Sequence, residues 1–233
     1  MIVQGACDEK FIAIKKLFNE SFLSGEETGA SFAIIQNKKI IVDLFGGYKN
    51  KKKEAWTANT LVNTFSLSKG MYAACVAKLI DENILDIERP VGFYWPAFKN
   101  NNKKSILVKH VLSHQSGLYR FKSKINNQDL LDWEKIIDII ETQTPDHKPG
   151  EATYYHAKTH GYIVGNIIKI LTNKNIGKYF SEKIINKTNR KFFFGLKGDE
   201  MNDVADLCED KIIQQERIKT TNYNAFNNPE HNL

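Results

Sequence analysis

Phe65-Ser66-Leu67-Ser68-Lys69-Gly70, followed by the run Met71-Tyr72-Ala73-Ala74-Cys75-Val76-Ala77-Lys78-Leu79-Ile80, decides how this chain is read. Ser66 and Lys69 stand three residues apart, and one helical turn brings such a pair onto the same face. A lysine ammonium held there lowers the cost of deprotonating a serine hydroxyl, which makes Ser66 a candidate nucleophile. Only Lys78 interrupts the apolar run, and a helix apolar on most sides is expected to be buried. The pattern predicts a central helix with Ser66 at or near its N-terminus. Backbone N–H groups and the helix dipole at that end favour developing negative charge.

Upstream, Phe11, Ile14, Leu17, Phe18, Phe22 and Leu23 recur at helical spacing, predicting a helix over residues 8–24 that Gly25 and Gly29 end. Ala30 to Ile35 and Ile40 to Phe45 are two short strand-like runs about Asn37-Lys38-Lys39, an antiparallel hairpin closed by Gly46-Gly47. A helix followed by a hairpin predicts a sheet with at least one helix-covered face. Downstream, Trp133, Ile136, Ile137 and Ile140 predict one helix, and Ile163, Ile167, Ile170 and Leu171 another, with Pro145 to Gly150 between them. The second carries Gly161 and Gly165 among polar neighbours, a spacing that predicts close packing against another soluble helix. Phe192-Phe193-Phe194 reads as a buried strand or turn, or as a pocket wall. The asparagine-rich tail from Thr220 to Leu233 has no apolar periodicity and is expected to hold little order.

Composition narrows the function classes. At 233 residues, with 42% hydrophobic and 26% charged residues, the chain can bury one sizeable core. Its net charge of +6 is carried almost entirely by lysine, with arginine only at 89, 120, 190 and 217. A nucleic-acid surface would show clustered arginine and exposed aromatics, so no nucleic-acid partner is expected. Cys7, Cys75 and Cys208 lack metal or redox spacing and read as free thiols, Cys75 as a core residue. No signal peptide and no stretch near the roughly 20 residues of a membrane span is visible, so a cytoplasmic, membrane-free protein is expected. His110/His114 and His156/His160 are each four apart, but neither pair has a carboxylate or cysteine to complete a metal site, so no metal is expected. His114 reads instead as a buried loop histidine holding a turn, and Ser116 as turn chemistry before Gly117. No G-x-S-x-G is present, so a nucleophile-elbow hydrolase has no candidate serine.

Five collinear stretches together resemble the serine β-lactamase-like family, in particular its class C-like carboxylesterases and transferases. They are Val42-Asp43-Leu44-Phe45-Gly46-Gly47; Phe65 to Gly70 with Leu79 to Asp86; Pro90-Val91 through Tyr94-Trp95-Pro96-Ala97-Phe98; Val111-Leu112-Ser113-His114-Gln115-Ser116-Gly117-Leu118; and Pro149-Gly150 with Tyr155-His156-Ala157. The resemblance covers roughly residues 1–210 and is far more specific than any single motif. It implies an α/β fold of the β-lactamase/transpeptidase type: an antiparallel sheet flanked by helices, a nucleophile helix within residues 1–85, and a mostly helical part over 86–219. The polar tail then occupies 220–233.

It also implies roles. Ser66 is the acyl-accepting nucleophile, Lys69 its ammonium neighbour, and Tyr155, which the spacing after Pro149-Gly150 selects over Tyr154, the third catalytic group. An unperturbed tyrosine titrates near ~10, so Tyr155 needs nearby cations to act as base at neutral pH. Whether Lys69 or Tyr155 takes the serine proton is left open at this point. The implied activity is ester hydrolysis or acyl transfer on small esters or acyl compounds through a Ser66 acyl-enzyme, with β-lactams not favoured and no cofactor. The sequence departs from the family pattern twice. Ala157 stands where many relatives carry asparagine, and the family's Lys-Thr-Gly or His-x-Gly strand is not found, so the sheet is expected to be incomplete. The alternative is a catalytically inert homologue that persists as a binding or scaffold protein, or as a fragment of a gene.

Overall fold

The computed structural model describes residues 3–188 and 190–207; the expected tail over 220–233 and Cys208 lie outside these. The described residues form two compact units, one within 1–64 and 196–207 and the other within 65–195.

The first unit holds β1 (Gln4–Cys7), α1 (Ile12–Leu23), β2 (Gly29–Gln36) and β3 (Lys39–Gly47). The predicted helix over 8–24 begins as a short 3₁₀ turn whose Lys10 N–H is capped by the Asp8 carboxylate at 3.0 Å. The predicted hairpin forms, and its connection is the two-residue kind: Asn37 and Lys38 both have positive φ, at 50° and 64°. That geometry matches the right-handed twist of the flanking strands. β1 pairs on the opposite side of β3, giving the antiparallel order β1-β3-β2. Its Gln-Gly-Ala-Cys sequence has no alternation to announce a strand. Val42 and Leu44 of the central strand are buried, and Phe22 from α1 lies against Gly46 and Gly47, where side chains would meet its ring. Residues 203–205 close the unit beside Leu61, with Leu61 N–H donating to Asp203 O and Ala205 N–H to Leu61 O.

The second unit is helical: α2 (Ser68–Asp81), α3 (Val91–Tyr94), α4 (Val108–Leu112), α5 (Trp133–Thr142), α6 (Thr159–Thr172) and α7 (Ile176–Lys183). The expectation that α2 is buried on most sides is corrected. It buries one stripe, Tyr72, Cys75, Val76 and Leu79, whereas Ala73, Ala77 and Ile80 are exposed. Alanine is apolar enough to extend the sequence pattern but contributes little burial energy, so the pattern overstates the buried face. Cys75 is a core residue, as its position in the run predicts, and burial pushes its thiol up to about 12.

α5 starts at Asp132, whose carboxylate caps the Lys135 N–H, and packs Ile136, Ile137 and Ile140 into the core. Its C-terminal end is closed by a buried lysine: Lys103 Nζ donates to Glu141 O at 2.8 Å and to Gln143 O at 2.6 Å. The glycine pair of α6 does what its spacing predicts. A Cβ on Gly165 would lie 2.9 Å from the Trp133 ring and 3.4 Å from Tyr72, and one on Gly161 would lie 3.5 Å from the Tyr72 hydroxyl. Gly165→Val is therefore expected to destabilise the protein by about 2 kcal/mol through overpacking, read as a lower midpoint in urea unfolding. Phe192 and Phe194 pack edge-on against Phe180 and lie against the core, with a bend at 194–195 and Phe193 exposed, so of the expected strand or turn the strand does not form.

Candidate active site

The chain makes a sharp turn into Ser66. Phe65 has φ +46°, a left-handed conformation that a bulky side chain rarely adopts, and residues 65–67 form a single 3₁₀ turn that leads into α2. Ser66 thus precedes the first regular turn of the helix and Lys69 lies within it, close to the arrangement the spacing predicts. Lys69 Nζ donates to Ser66 Oγ at 3.3 Å and to the Ala157 carbonyl at 3.0 Å, and it lies 4.8 Å from the centre of the Tyr155 ring. One ammonium therefore touches the serine, the tyrosine face and the backbone two residues beyond it.

Tyr155 and Tyr154 point to different places. Tyr154 stacks on Tyr119 at 4.9 Å and neighbours His147 at 5.6 Å, whereas Tyr155 faces Ser66 and Lys69. Burial raises the Tyr155 pKa, but hydrogen bonding to Ser66 and Lys69, with the Lys69 charge, outweighs it and holds the phenol below its ordinary value. The Ala157 position contributes only its main chain here, through the carbonyl that Lys69 grips.

What holds Tyr155 in this position is a set of contacts between two loops that are 40 residues apart in sequence. Gly150 N–H donates to Gln115 O at 3.0 Å, and Tyr154 N–H to His114 O at 3.0 Å. His156 N–H donates to His114 Nδ1 at 3.1 Å. His156 Nδ1 lies 2.7 Å from the Tyr154 carbonyl, which can only accept, so Nδ1 carries the proton and Nε2 accepts from the Ser116 hydroxyl at 2.6 Å. Ser116 Oγ in turn accepts the Leu118 N–H at 3.2 Å, the turn role its position before Gly117 predicts. Ser116 and His156 have the short contact of a nucleophile and base, but both are wholly buried, so the pair braces the loop.

His114 is corrected from buried to half-buried, and it does hold a turn, at φ +63°. His156 and His160 are driven by burial down to about 4 and about 3, so both are neutral across the physiological range. Among the described residues no group of three His, Cys, Asp or Glu side chains is placed to hold a metal ion. Sequence reasoning finds the loop motifs but not the bonds between them. The signal available was the placement of His114 and Ser116 on one loop and His156 next to Tyr155 on the other.

Known proteins share this architecture. The sequence pattern described as "Beta-lactamase" matches residues 14–210. The chain is similar to the esterase/beta-lactamase LipL of Mycobacterium tuberculosis, at 30% identity over 78% of this chain and 42% of that protein. Its fold is similar to that of a family VIII carboxylesterase, with TM-score 0.83 and 34% identity over 89% of this chain and 58% of that one. It is also similar to a penicillin-binding protein homologue from Caulobacter crescentus, with TM-score 0.86 and 30% identity over 91% and 57% of the two chains. The chain thus spans about half the length of these relatives. The fold is of the β-lactamase/transpeptidase type, α/β, with a small antiparallel sheet that is not closed. Because the match runs through the hairpin, the Ser66 turn and the loop that carries Tyr155, and is not confined to one motif, the chain belongs to the Beta-lactamase family.

Proposed function

We propose that the protein is a β-lactamase-related serine hydrolase of the esterase or acyltransferase type, with Ser66 as nucleophile, Tyr155 as general base and Lys69 as the cation that serves both. The observation that carries this reading is Lys69 Nζ lying 3.3 Å from Ser66 Oγ and 4.8 Å from the Tyr155 ring centre. An ammonium that donates to Ser66 has no lone pair with which to take its proton, so the base role goes to the phenol whose pKa it helps to lower. As Ser66 Oγ attacks the acyl carbon, its proton passes to the Tyr155 phenolate. When the tetrahedral intermediate collapses, Tyr155 returns the proton to the departing alcohol and leaves an ester on Ser66. Water or a second alcohol, deprotonated by Tyr155 in the same way, then attacks the acyl carbon, and Tyr155 passes that proton to Ser66 Oγ as the ester bond to Ser66 breaks. Nucleophile, base and counter-charge all come from this chain, and no cofactor enters the scheme.

The substrate class we infer is a small ester or other acyl compound, supported by likeness to an esterase/beta-lactamase and to a carboxylesterase. No helix among the described residues is long and apolar enough to cross a membrane, and Cys7 and Cys75 are free thiols, which supports placing the protein in the reducing cytoplasm. We assign residues 1–219 to the hydrolase domain, a reading supported by the family match over 14–210.

Fluorophosphonate treatment followed by peptide mapping tests the proposal. A single adduct on Ser66 is the expected result. Folded protein that takes up no adduct would overturn it and leave an inert binding or scaffold role as the better reading.

A further inference from the structure

His114 occupies a left-handed backbone position that is uncommon for any residue other than glycine. It follows the C-cap of α4 with φ +63°, and two N–H groups fold back onto the helix: Gln115 N–H to His110 O at 2.6 Å and His114 N–H to Val111 O at 3.2 Å. This is the Schellman ending, whose left-handed residue is usually glycine and sometimes asparagine. A histidine there bears a steric cost that glycine would avoid, and an outlier of this kind points to a use for the side chain.

The use is visible in its contacts. The His114 carbonyl accepts the Tyr154 N–H at 3.0 Å and its Nδ1 accepts the His156 N–H at 3.1 Å, so one residue grips the main chain on both sides of Tyr155. Its ring also lies edge-on to the Tyr155 ring, with centres 4.9 Å apart. Accepting at Nδ1 requires the neutral tautomer with its proton on Nε2.

We propose that His114 is a positioning residue that holds the Tyr155 phenol against Ser66 and Lys69 through the acceptor at Nδ1. This rests on the reading of Tyr155 as the base. The groups that face the imidazole are Tyr155, His156, His160 and Lys69. Burial and the Lys69 charge both hold His114 in its neutral form, and His156 and His160 are neutral as well. Adding a proton at Nδ1 sets a donor against the His156 N–H, so acid releases the segment.

Three variants of the full chain separate the acceptor from the turn. In His114→Asn, Oδ1 stands as many bonds from the backbone as Nδ1, and asparagine tolerates the left-handed conformation. His114→Gln places its polar atoms where Nε2 was, and His114→Gly keeps the turn without any acceptor. The readouts are amide exchange at His156, titration of the Tyr155 phenol by tyrosine-labelled NMR, and the rate of fluorophosphonate modification.

For Gln and Gly, exchange at His156 is expected to quicken about tenfold, the scale of one lost hydrogen bond. The Tyr155 phenol should titrate closer to its ordinary value and labelling should slow about tenfold, again the scale of one such bond. Asn should stay near wild type in all three, and Tyr154, whose acceptor is a main-chain carbonyl, should keep its protection in the Gly variant. His114→Gly matching wild type at the His156 amide and the phenol would overturn the proposal, because the position would then need only its turn. Faster exchange with an unmoved phenol titration would overturn it too. A wild-type protein inert to fluorophosphonate would remove the Ser66 mechanism, while exchange and titration still decide the role of His114.

Discussion

Ser66→Ala is expected to abolish ester turnover and fluorophosphonate uptake, and Tyr155→Phe to slow both by about 10²–10⁴-fold, the usual contribution of a positioned general base. Both side chains are exposed, so neither change removes core packing, and unfolding midpoints should stay within the roughly 0.5 kcal/mol typical of surface substitutions. A fall in rate with unchanged stability is what separates a chemical role from a structural one. The pH dependence follows from the Tyr155 environment. Because Lys69 and Ser66 hold its pKa below the ordinary value, the wild-type rate should rise with pH as the phenol ionises and level off below the pH of a free tyrosine. Removing the cation with Lys69→Met keeps the Ser66 hydrogen bond but takes away the Lys69 hydrogen bond and charge that also lower that pKa, so the rising limb should move to higher pH. A rate profile that Lys69→Met leaves in place would contradict the assigned division of labour. Turnover that survives Ser66→Ala would contradict the nucleophile itself.

Lys103→Met should be the most destabilising of the substitutions considered, at about 2–3 kcal/mol, the scale for leaving a buried acceptor without its hydrogen bond. Lys103 is wholly buried, and its two donors satisfy carbonyls at the C-terminal end of α5 that have no helical partner of their own. Methionine fills the volume but takes the donor from Gln143 O and leaves Glu141 O with the longer bond from Asn101 Nδ2 at 3.3 Å. Burial pulls the Lys103 ammonium down to about 8, with the Glu141 charge opposing it. Between about pH 8 and the unfolded value near ~10.4 the unfolded chain therefore binds more protons than the folded one, and stability from this group rises with pH across that window. The neutral amine keeps two N–H donors, enough for both carbonyls. Urea unfolding of wild type and Lys103→Met at pH 7.5 and 9.5 tests this: the gap between them should be large at both and wider at the higher pH. A gap that narrows would show that the charge, and not the hydrogen bonding, is what the site needs.

Local interactions made part of the architecture readable. The hairpin follows from two strand-like runs about Asn37 and Lys38, because the turn between them is short and its positive-φ residues settle the register nearby. α5 and α6 follow from apolar periodicity, and the glycine pair in α6 from the close approach of Trp133 and Tyr72. β1 was not legible, since four residues without alternation become a strand only when β3 offers them an edge. The extent of α2 burial was overread for a related reason: apolar character describes what a face tolerates, and neighbours decide what is covered.

The site divides in the same way. Ser66 and Lys69 could be paired from sequence alone because a single helical turn determines their separation, and covalent geometry does not depend on the rest of the fold. Tyr155 could be named by its distance from Pro149-Gly150, but its placement depends on contacts that join residues 114 and 116 to residues 154 and 156. Such contacts bring together segments far apart in sequence, and their closure is settled by packing of the whole helical unit rather than by any local preference. The sequence by itself therefore determined the Ser66–Lys69 pairing, the tyrosine spaced after Pro149-Gly150 and the likeness to the family. The tertiary structure alone decided how that tyrosine is brought to the pair, and that a strained histidine and a buried Ser116–His156 pair hold it there.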